Sequence, residues 1–83
     1  MNREGAHFET GKIYDCSRTN MKAKVTFVDH ETGEITIVLC DAQGHAFTGK
    51  EHIGNIVWNE FRECEWCYFE GADISISACT EVT

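Results

Sequence analysis

Between residues 22 and 48 apolar and polar side chains alternate with a period of two. Ala23, Val25 and Phe27 alternate with Lys22, Lys24 and Thr26, and Ile35, Ile37 and Leu39 with Thr36, Val38 and Cys40. Successive side chains of a strand point to opposite faces, so the pattern predicts two strands with one inward face, which would place Phe27 and Ile37 in the core. Register in such a sheet is fixed by turn chemistry as much as by hydrophobic pattern. In the loop His30-Glu31-Thr32-Gly33 the glycine precedes the returning strand and suits a left-handed residue after a type I turn. Asp41-Ala42-Gln43-Gly44 repeats the device. Two hairpins therefore share the segment 35–40, which should be the most buried strand of a three-stranded meander.

Outside the meander the signals are shorter. Residues 1–10 carry Arg3, Glu4, His7 and Glu9 around few apolar groups and read as a flexible N-terminal arm, leaving 11–83 as a single small β-rich domain. Lys12 to Cys16 is β-prone enough for a first strand, followed by a loop at Ser17-Arg18-Thr19-Asn20. Thr48-Gly49-Lys50-Glu51 has the form of a capping box, and Ile53, Val57, Phe61 and Cys64 fall on one stripe at 3.6 residues per turn. These predict a short helical segment, with a strand through Ile53 to Trp58 as the rival, since Gly54 and several β-branched residues disfavour a helix. Trp66-Cys67-Tyr68-Phe69 and Ile74-Ser75-Ile76-Ser77-Ala78, separated by Glu70-Gly71-Ala72-Asp73, predict a third hairpin with Ile74, Ile76 and Ala78 facing the core. The expected fold is mainly β: a small barrel or curled antiparallel meander with one short helical segment, α+β being the alternative. Small SH3-like and Sm-like barrels use the same element order, an analogy of pattern that carries no function.

Length and composition set the scale. Eighty-three residues, 42% hydrophobic and 25% charged, suffice for one globular domain with a modest stability margin. The first ten residues lack the apolar core of a signal peptide, and the longest apolar run is too short to span a bilayer. The expectation is therefore a cytoplasmic protein with no membrane association. An odd count of five cysteines then fits reduced thiols.

Catalytic motifs are missing. The four histidines, His7, His30, His45 and His52, have none of the spacings of a zinc hydrolase, and no glycine-rich phosphate loop occurs. The chain is accordingly expected to be non-enzymatic and without a cofactor. Cys64-Glu65-Trp66-Cys67 supplies the CxxC spacing, but a tetrahedral zinc site needs two more ligands and no second paired spacing announces them. Cys64 and Cys67 are thus read as buried free thiols, with zinc ligation the lesser alternative.

Charge divides the chain. Residues 1–24 hold five Lys or Arg against three acids, whereas residues 25–83 hold two against eleven, so the segments carry +2 and −9 of a net −7. Glu60, Glu63, Glu65, Glu70 and Asp73 gather beside Trp58 and Trp66, a composition suited to a basic protein partner, with Trp58 as the anchor. The function expected is a protein-binding module, in its sharpest form an acidic inhibitor or regulator that occupies the nucleic-acid-binding surface of its partner. The alternative is a small-barrel nucleic-acid-binding protein using Arg18, Lys22 and Lys24 near Tyr14 and Phe27, which the acidic balance disfavours.

Overall fold

The segment Glu34–Cys40 (β3) is the centre of the molecule. All of its side chains except those of Glu34 and Leu39 are buried, on both faces of the strand. A computed structural model describes residues 5–18 and 20–82. Within them β3 lies in a seven-stranded antiparallel sheet with Ile13–Cys16 (β1), Lys22–Val28 (β2), Ala46–Asn55 (β4), Val57–Asn59 (β5), Cys64–Phe69 (β6) and Ile74–Glu81 (β7). The strand order is β4-β3-β2-β1-β7-β6-β5. The sheet curls into a half-barrel, its concave side filled by Phe8, Tyr14, Val25, Ile35, Ile37, Phe69, Ile74 and Ile76.

The three predicted hairpins form where turn chemistry placed them. In the first, Gly33 has φ +83 and donates its N–H to the carbonyl of Asp29 at 2.8 Å. The Asp29 carboxylate accepts the N–H of Glu31, and the Gly33 carbonyl accepts the N–H of Ile56 at 2.7 Å. In the second, Gly44 has φ +88 and its N–H bonds the Asp41 carbonyl at 3.0 Å. In the third, Ile74, Ile76 and Ala78 face the core as expected. Gly33→Val should lower stability by about 1–2 kcal/mol or more, because a β-branched residue resists the left-handed region. A thermal melt unchanged from the parent would contradict that turn geometry.

Three expectations change. The stretch 48–64 contains no helix, and no helix occurs among the described residues. Residues 46–55 pair with β3, from Glu34 opposite Asn55 to Val38 opposite Glu51, and residues 57–59 pair with β6. The Thr48 hydroxyl accepts the N–H of Lys50 in a local turn, and Gly49 has φ +74, so the capping box is a bulge in an edge strand. Gly54 explains why β4 can bend over the sheet: a Cβ there would sit 2.6 Å from the sulfur of Cys67 and 3.1 Å from the ring of Phe69.

Phe27 is the second correction. It is 46% exposed, because β2 carries an extra residue between Val25, which faces Ile37, and Phe27, which faces Thr36. One inserted residue moves a side chain to the opposite face. The third concerns the segment read as an arm. Phe8 is fully buried, edge-to-face with Tyr14 at 5.1 Å, and Ala6 bridges to Cys64. Residues 1–4 of that segment, and Thr19 of the loop at 17–20, lie outside the described residues.

Candidate functional site

Strand β5 is only three residues long and lies at an edge of the sheet. The turn after it is held by Asn59, whose side-chain oxygen accepts the N–H of Phe61 at 3.0 Å and of Arg62 at 3.1 Å. This Asx turn leaves the Phe61 ring 100% exposed, beside Val57 at 51%. Val57, Trp58, Asn59, Glu60, Phe61 and Trp66 line a shallow apolar depression. Trp66 and Asn59 also border a second, more polar groove with Asp15, Arg62, Ser75, Ser77 and Thr80. Half-buried Trp66 is therefore a floor shared by an apolar and a polar recess.

The neighbouring residues alternate inward. Trp58 pairs with Glu65 across the ladder, and both turn to the concave side. The Trp58 ring lies 5.5 Å from that of His7, half-buried rather than exposed. Glu65 is buried, one carboxylate oxygen accepting the N–H of Phe8 at 2.7 Å and the other lying 2.9 Å from Nδ1 of His30 and 3.4 Å from Nδ1 of His7. Such partners are what a buried carboxylate requires. They tie residues 6–8 and the β2–β3 turn to β6.

The acidic stretch is thus not one surface. Glu60 and Glu63 flank Phe61 at one end of β6, Glu65 is inside, and Glu70 and Asp73 lie in the turn at the other end, where Asp73 accepts from the Tyr68 hydroxyl at 2.7 Å. A six-residue strand separates the two pairs by about 17 Å. Comparison with protein-family models, with curated proteins and with solved structures finds no match to this chain.

The basic residues are dispersed. Lys22 donates to Asp15 at 2.8 Å, a hydrogen bond that holds its ammonium pKa above the usual value. Lys24 lies on the outward face of β2 opposite Val38, and Arg18 is in the loop after β1. Tyr14 is buried, its hydroxyl accepting the N–H of Glu9, so it offers no ring to a base. Phe27 does share the outward face with Lys22 and Lys24.

The five cysteines are free thiols. Cys64 and Cys67 sit three apart on a strand and so face opposite ways. Cys64 lies 3.1 Å from the Ser77 hydroxyl and 3.3 Å from the sulfur of Cys79, whereas Cys67 packs over Gly54. Burial pushes the Cys67 thiol up to about 11. A hydrogen bond from Ser77 lowers the exposed Cys79 thiol. Among the described residues the two cysteines of the CxxC belong to no group of three converging ligands.

Proposed function

We propose that the chain is a non-enzymatic binding module, acting in the cytoplasm, that engages a basic protein partner through the β5–β6 end and thereby inhibits or regulates it. The observation that carries this reading is the fully exposed phenyl ring of Phe61 on a hydrogen-bonded turn. A large apolar side chain gains nothing there in the isolated protein, and its whole surface is open to a partner beside Val57 and Trp66. Glu60 and Glu63 on either side of it, on a chain of net charge −7, favour a cationic partner. The anchor is accordingly Phe61 with Trp66, in place of Trp58, whose ring lies against His7.

Parent protein and Phe61→Ser should be used as paired baits in a native extract, with quantitative mass spectrometry of what each retains. The expected result is a basic protein enriched by the parent and bound about 30-fold more weakly by the variant, the equivalent of about 2 kcal/mol. Glu60→Gln with Glu63→Gln should mainly slow association and flatten its salt dependence. Equal retention by both baits would refute the site. A second reading follows from Phe27 beside Lys22 and Lys24. If oligonucleotides are shifted in a gel at moderate salt and Lys24→Ala abolishes the shift, nucleic acid is the ligand and the β5–β6 end is not the functional surface.

A further inference from the structure

We infer that His7, His30 and Glu65 form a binding site for one divalent first-row transition ion, of which zinc is the natural probe. Three ligating atoms from three separate parts of the chain converge here within 4.8 Å of one another: one ring nitrogen of each imidazole and one carboxylate oxygen of Glu65. The two nitrogens lie 2.9 and 3.4 Å from that oxygen. Zinc bonded to imidazole and carboxylate at about 2.0–2.1 Å in a tetrahedron sets neighbouring ligand atoms about 3.3 Å apart. The two nitrogen–oxygen spacings thus need to change by only a few tenths of an ångström.

The surroundings favour a ligand role as well. The second oxygen of Glu65 is held by the Phe8 N–H, which orients the carboxylate, and the Trp58 ring lies against His7 and limits its rotation. Outer partners of this kind position ligands in metal sites. The pocket is not closed: the side chains of His7 and His30 are 36% and 45% exposed while that of Glu65 is 8%, so an ion can enter from solvent and keep water in its fourth position. Two nitrogen donors and one oxygen donor suit zinc, cobalt or nickel over magnesium or calcium. On binding, each Nδ1 offers its lone pair while the one proton of the neutral ring sits on Nε2; an imidazole carrying protons on both nitrogens releases the Nδ1 proton to solvent.

Metal-free protein titrated with zinc at neutral pH should bind one equivalent, and its melting temperature should rise with added zinc. Loss of an outer hydrogen-bond partner already costs about 10–100-fold in metal affinity, so loss of a direct ligand in His30→Ala should cost at least about 100-fold. His30→Ala also removes a partner of the buried Glu65 carboxylate, so the metal-free variant should melt below the parent, and at whatever midpoint it melts it should no longer be stabilised by zinc. Cobalt should give a visible spectrum of nitrogen and oxygen ligation without the near-ultraviolet band of a cobalt–thiolate bond. The inference is overturned if the parent binds no zinc, if His30→Ala binds it as tightly as the parent, or if the thiolate band appears. Because this site is independent of Phe61, a Phe61→Ser variant should take up the metal unchanged.

Discussion

Phe8→Ala is expected to destabilise the protein by about 3–5 kcal/mol, the usual cost of deleting a buried phenyl ring. The ring is fully enclosed, meets Tyr14 edge-on, and is flanked by backbone bonds from Ala6 to Glu63 and from Glu65 to Ala6. Its loss leaves a cavity between β1 and β6 and loosens the covering of Glu65. In a domain of this size 1 kcal/mol moves the midpoint by about 4–8 °C, so the melt should fall by more than about 12 °C. A change of only a degree or two would mean that residues 5–10 are not part of the folded core.

The second large effect is a contrast between two residues that the alternating pattern treats alike. Ile37→Ala should cost about 2–5 kcal/mol, because Ile37 is fully buried between Val25 and His52 at the middle of β3. Phe27→Ala should cost under about 1 kcal/mol, because almost half of its surface is already in water. Chemical denaturation of both variants against the parent checks the pair. Equal losses would place Phe27 inside and remove the extra residue from β2.

That contrast shows where sequence reasoning reached and where it stopped. Both meander turns were legible because Gly33 and Gly44 mark positions that require positive φ, a local demand that local residues reveal. Ile74, Ile76 and Ala78 were legible because the hairpin they belong to keeps strict alternation. Phe27 was not, because an inserted residue shifts a face without any special residue to announce it. The stretch 48–64 was ambiguous for a different reason: β4 is an edge strand with most of its side chains in water and Gly54 turned inward, so it lacks the apolar alternation of a strand. What made it a strand was pairing with β3, a non-local preference that overrides a capping box.

The site was less legible than the fold. Glu65 reads in sequence as one acid among five, yet it is buried by Phe8 and His30, which are 57 and 35 residues away along the chain. Nothing near position 65 could signal this. Trp58 and Phe61 exchanged roles once the helix became a strand and a turn, because a period of two turns Trp58 inward toward His7 while the Asn59 turn lifts Phe61 out. Asn59 two residues before Phe61 was a readable cue, since an Asn side chain bonds the backbone two residues on to make an Asx turn.

Hydroxyl-radical footprinting of the protein alone and with its captured partner reports which side chains the partner covers. The strongest protection is expected on Phe61, with Val57 and Trp66 protected alongside it, while Phe27 on β2 reacts as in the free protein. Protection of Phe27 with Phe61 left fully reactive would contradict the proposed surface.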